Sequence, residues 1–82
     1  MTHEPTNTDR AEWAREALAV FTARTYGSDH PDTMHRGDLE TAIYDLIADL
    51  LHYAKRQGFD TGGIITQACY HFECELREEV TP

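Results

Sequence analysis

DLETAIYDLIADLLHYAKRQG, residues 38–58, is the stretch whose periodicity decides the fold. At about 100° per residue, Leu39, Ala42, Ile43, Leu46, Ile47, Leu50, Tyr53 and Ala54 gather on one side, and Tyr44 and Leu51 widen it. The opposite arc holds Thr41, Asp45, Ala48, Asp49, His52, Lys55 and Arg56. This spacing is helical and does not alternate as a strand would. Asp38 is the predicted N-cap and Gly58 the predicted stop, with Lys55 and Arg56 in the last turn, where the helix dipole favours cations. An apolar arc this wide needs more than one neighbour to cover it, so this helix is predicted to be central.

Two further helices flank it. Upstream, Asp9 followed by Glu12 has the spacing of a capping box. Trp13, Ala17, Leu18, Val20 and Phe21 then recur on one helical face as far as Tyr26, before Gly27. Residues 27–37, GSDHPDTMHRG, are dense in turn formers and read as a loop. Downstream, Asp60 is the predicted N-cap of a last helix, with Phe59 placed to pack on Ile64 as a hydrophobic staple. Gly62 and Gly63 weaken that start by about 1 kcal/mol each relative to alanine. Ile64, Ile65, Ala68, Cys69, Phe72 and Leu76 form its predicted core face. Glu75, Glu78 and Glu79 oppose the dipole at its end, which predicts fraying there. The expected architecture is an all-α three-helix bundle with helices over 8–26, 38–57 and 61–79. Residues 1–7 are expected to be a disordered leader, 8–79 a single domain and 80–82 a tail.

Composition narrows the function classes. The 82-residue chain carries 15 acids against 7 basic residues, a net charge of -8. The excess deepens along the chain, from six acids against four bases over 1–37 to five against one over 59–82. Direct nucleic-acid binding depends on cations that neutralise phosphates, so it is not expected. A protein with a basic surface is the natural complement. No apolar run approaches the roughly 20 residues that cross a bilayer, and MTHEPTNTDR lacks the pattern of a signal peptide. Two cysteines five positions apart do not make a disulfide framework. The expectation is a cytoplasmic protein with reduced thiols and no membrane contact.

Chemistry-bearing residues cluster weakly. QACYHFECE, residues 67–75, holds both cysteines, His71 and two glutamates. On one helix Cys69 and Cys74 diverge by about 140°, so a single ion cannot take both. His71 and Cys74 could share an ion, but zinc wants four ligands. Asp45, Asp49, His52 and Arg56 stack along the polar arc of the central helix, a spacing open to a divalent ion but usual for a solvated face. Glu12 and Glu16 make a similar pair, and His30, Asp32 and His35 match no known ligand spacing. No phosphate loop or nucleophile elbow is present. The sequence therefore predicts no catalytic residue, no metal and no cofactor.

DLIADLLHYAKRQGFDTGGIITQACYHFECE, residues 45–75, resembles the closing helical hairpin of the MazG-type all-α nucleotide pyrophosphohydrolases. In that resemblance Asp45 stands at the family's metal-binding aspartate, and Gly58 and Asp60 match its turn. Ala42 stands where the partner glutamate belongs, and Glu12 and Glu16 are four apart where the family's upstream pair has two residues between. The resemblance therefore implies a metal-dependent nucleotide hydrolase or its catalytically dead relative. In size and charge the chain also looks like small acidic helical proteins of bacteriophages and mobile elements, some of which are similar in kind to anti-CRISPR inhibitors and nucleic-acid mimics.

The expected function is a non-enzymatic protein-binding module. An apolar contact from Tyr44, Ile47 and Leu51 would combine with Asp45, Asp49, Glu73 and Glu75 facing a basic, nucleic-acid-binding surface of the partner. The apolar flank is free for this only if the first helix and the 27–37 loop leave it uncovered. The hydrolase is one alternative. A structural homodimer built on the wide face of the central helix is the other.

Overall fold

The computed structural model describes residues 4–27 and 30–80, the side chain of Val80 apart. Three helices make up most of it: α1 (Asn7–Thr25), α2 (Arg36–Arg56) and α3 (Thr61–Val80), with one 3₁₀ turn at Pro31–Thr33. No strand occurs among the described residues, and the chain is an all-α three-helix bundle. Residues 1–3 of the expected leader and 81–82 of the expected tail lie outside the described residues.

The helix ends show which local signals won. α1 starts earlier than the sequence spacing suggested, because Thr6 and not Asp9 caps it. The Thr6 hydroxyl accepts from the Asp9 N–H at 3.1 Å and the Asp9 carboxylate accepts from the Thr6 N–H at 3.0 Å. This is a reciprocal capping box, and it uses the Asp9 carboxylate that an Asp9–Glu12 box would have needed as its cap. α2 likewise starts at His35, whose Nδ1 accepts from the Gly37 N–H at 3.3 Å. Asp38 falls to the third helical position, where an acid still suits the positive end of the dipole. Asp60 does cap α3, accepting from the Gly63 N–H at 3.1 Å.

The stops are as read. Gly58 has φ +85°, the Gly58 N–H reaches the Lys55 carbonyl at 3.0 Å and the Phe59 N–H reaches the Ala54 carbonyl at 3.0 Å. That pair of bonds is a Schellman motif. Gly27, also left-handed at φ +72°, follows the last turn of α1.

Packing is thin. Leu18 and Thr22 on α1 and Ala42 on α2 are buried, and Ala54 is buried near the α2–α3 turn. Thr22 tolerates burial because its hydroxyl donates to the Ala19 carbonyl at 3.2 Å. Trp13 and Val20, predicted on the same face as Leu18, are exposed. The side of α1 that meets α2 runs Leu18–Thr22–Tyr26 at four-residue steps, and Trp13 and Val20 lie roughly opposite it. The 3₁₀ turn is tied to α1 by a two-pronged ion pair, Arg15 Nε to Asp32 Oδ1 at 2.9 Å and Arg15 Nη2 to Asp32 Oδ2, with Pro31 of the same turn buried.

The C-terminal acids of α3 have a use that its own sequence did not reveal. Asn7 donates its backbone N–H to Glu79 at 2.5 Å and its side-chain amide to the Glu75 carbonyl at 3.0 Å, while Arg10 pairs with the Glu75 carboxylate at 3.1 Å. Carboxylates that oppose the dipole of α3 thus serve the N-terminus of α1, where negative charge is favourable. α3 is helical through Val80. The expected core face of α3 does not become a core. Ile64, Ile65, Ala68, Phe72 and Leu76 are exposed, and Cys69, predicted to be buried among them, is exposed too. The face is apolar as read, but no described element of the same chain lies over it.

Candidate functional site: an apolar trough beside the central helix

α1 covers α2 on the side of Ala42, and α3 approaches it on the side of Ala54. Between these two lines of contact α2 presents Leu39, Ile43, Leu46, Ile47 and Leu50 to an open trough of about 580 Å³. The opposite wall comes from α1, where Ala11, Ala14 and Leu18 recur at helical spacing, and Pro31 joins the lining. The small residues at 11 and 14 keep this wall low and the trough wide. They were missed in the sequence, although alanines at 11 and 14 leading to Leu18 are a readable stripe.

The polar groups of the trough neutralise each other. Arg15 and Asp32 at its rim form the two-pronged pair, and Glu12 approaches Arg15 at 3.0 Å. Their hydrogen bonding holds the Arg15 guanidinium above its ordinary pKa and the Asp32 carboxyl below its own. The lining is otherwise apolar, with no other charged side chain.

The residues singled out as a partner-binding set occupy separate surfaces. Tyr44, Ile47 and Leu51 share one stripe of α2, and Asp45 with Asp49 lies about 150° away around the same helix. Tyr44 is 56% and Ile47 44% exposed, while Leu51 is half-buried. Ile47 looks into the trough, and Tyr44 stands outside it with its hydroxyl donating to Thr41 Oγ1 at 3.2 Å. Asp45 accepts from the Tyr26 hydroxyl at 2.5 Å. That bond, together with partial desolvation, pushes the Tyr26 phenol up to about 12. Asp49 lines a mixed cleft with Arg24, His52, Tyr53 and Arg56, the last lying over the Tyr53 ring at 5.4 Å. Two guanidiniums against one carboxylate leave this cleft without an acidic surplus. Glu75 is committed to Arg10. Of the four acids in the set, Glu73 alone is an exposed group with neither a partner on α1 nor a place among arginines.

The metal-ligand candidates have local structural uses. His30 Nδ1 accepts from the Asp32 N–H at 3.1 Å, as His35 does from Gly37. Cys74 Sγ accepts from Arg77 Nη2 at 3.6 Å, and its hydrogen bond with Tyr70 raises the Tyr70 phenol pKa. His71 instead sits beside the Tyr70 ring at 6.3 Å. Among the described residues no three His, Cys, Asp or Glu side chains converge as a metal-ion site would need. No described helix is long and apolar enough to cross a membrane. No family model, curated protein or solved structure matches the chain.

Proposed function

We propose that the chain is a non-enzymatic, acidic protein-binding module that engages a partner with a basic surface. Where that surface binds nucleic acid, the module competes for it. The observation that carries this reading is how the charges are distributed. Among the described residues Arg10 pairs with Glu75 and Arg15 with Asp32 and Glu12, while Glu73 and Glu78 on α3 are exposed. Glu73 and Glu78, about 140° apart around α3, flank the side that supplies the electrostatic contact, and Tyr44 on α2 is an exposed aromatic anchor. Rim charges of this kind act mainly on association rate and specificity, and their effect is screened by salt.

Capture of binding proteins from a cell lysate at low and at high salt tests the reading. The wild-type chain should retain a basic protein that high salt releases, and the double reversal Glu73→Lys with Glu78→Lys should lose it. Equal capture by wild type and reversal at low salt would contradict the electrostatic mechanism.

A further inference from the structure

The trough and the α3 face are two apolar surfaces that the same chain leaves uncovered, and they match in length. Leu39 to Leu50 on α2 and Ile65 to Leu76 on α3 are each twelve residues long, a rise of about 16 Å along the helix. We propose that in solution the trough of one copy receives the Ile65–Phe72–Leu76 stripe of a second copy, and reciprocally, in a two-fold homodimer.

Area supports a second copy. The chain exposes 6835 Å², against about 5000 Å² for a folded monomer of its mass. The surplus of about 1800 Å² falls within the roughly 1000–2500 Å² that each protomer buries in an obligate dimer. The radius of gyration, 14.7 Å, also exceeds the about 12 Å of a compact chain this long. Leu50 at 58% and Phe72 at 61% exposure are the two largest contributors facing these surfaces.

Charge selects the occupant. A basic partner would find no acid in the trough to meet it, because Asp32 is spent on Arg15. A second copy finds an apolar, self-neutralised surface that matches its own α3 stripe and keeps Glu73 outside. A reciprocal contact also closes the assembly at two chains, as two-fold symmetry requires. The short 57–60 turn and the bonds from Asn7 and Arg10 to Glu75 hold α3 away from the trough of its own chain.

This inference is independent of the basic partner, and salt separates the two. Screening the repulsion between two chains of charge -8 favours the dimer, whereas it weakens a basic contact. Light scattering on the full chain at micromolar concentration should give twice the 9.4 kDa of one chain, at low and high salt alike. Leu50→Glu, in the trough, and Phe72→Glu, on the stripe, should each shift the mass to that of one chain. Val20→Glu, on the far side of α1 and 72% exposed, should leave the dimer intact and controls for added charge. Single-chain mass for the wild type overturns the inference whether or not the variants fold. So does a dimer that survives either variant, or one that Val20→Glu also breaks.

Discussion

At the scale of single residues, the Tyr26–Asp45 bond is a tertiary hydrogen bond that ties the cap of α1 to α2. Its proton sits on the phenol, so the folded chain favours neutral Tyr26 and raises its pKa to about 12. The stabilisation is therefore fully present below the ordinary tyrosine pKa of about 10 and is lost as pH rises from there through about 12. Spectroscopic titration of the chain's four tyrosines should therefore show a late phase near pH 12 that Tyr26→Phe reduces by one group. The stability gap between wild type and Tyr26→Phe should close over the same interval, and a gap that widened would contradict the assignment. Leu18 makes a different prediction. Buried against α2 in a thin core, its truncation in Leu18→Ala should cost about 2–3 kcal/mol in urea unfolding.

The glycines that open α3 differ although the sequence makes them look alike. A Cβ on Gly62 would meet Asp60 Oδ1 at 3.8 Å, an ordinary contact, but on Gly63 it would meet Asp60 Oδ2 at 2.9 Å. Gly62→Ala should thus stabilise the chain by up to about 1 kcal/mol through helix propensity. Gly63→Ala should forfeit that gain, because the capping carboxylate must move. Thermal unfolding of the two variants measures the difference.

At the scale of elements, each helix end reports a competition between local signals. Periodicity and glycines placed all three helices and both stops, and the Asp60 cap was readable because an acid directly precedes the helix. The starts of α1 and α2 were not, for specific reasons. Thr6 and Asp9 satisfy each other's backbone N–H, so a second acid at Glu12 offered a rival box of the same spacing. His35 caps through a ring nitrogen, a role its residue type advertises poorly. The junction of α1 with α3 was invisible for another reason: Glu75 and Glu79 are unfavourable by the local rule and become favourable only beside Asn7 and Arg10 of another helix. Arg10 and Glu75 are each about one-third exposed, so Glu75→Gln should cost less than about 1 kcal/mol and cost less still at high salt. Circular dichroism against urea at two ionic strengths would check both statements.

The candidate site divides the same way. The wide arc of α2 is legible from residues 38–58 alone, and so is the apolar stripe of α3. What covers them is not, because periodicity identifies a face and says nothing of its neighbour. Cys69 shows the gap: its place on the apolar stripe was readable, its exposure was not. The acids of the expected contact set were likewise separated by tertiary structure, with Asp45 bound to Tyr26, Asp49 set among arginines and Glu75 bound to Arg10.

At the scale of the whole molecule, the balance of surfaces dominates. A chain of this size has little core to spare, and among the described residues thirteen large apolar side chains stand exposed while Leu18, Pro31, Ala42 and Ala54 are the buried apolar ones. Such a protomer is expected to draw stability from association, with folding and dimerisation linked by mass action. Glu73 then stays outside the contact on both copies, and a basic partner would meet twice the charge of one chain. The most direct measurement is the urea unfolding midpoint of the wild-type chain as a function of protein concentration. For a linked dimer the midpoint rises steadily with concentration over a hundredfold range; a midpoint independent of concentration would overturn the dimer.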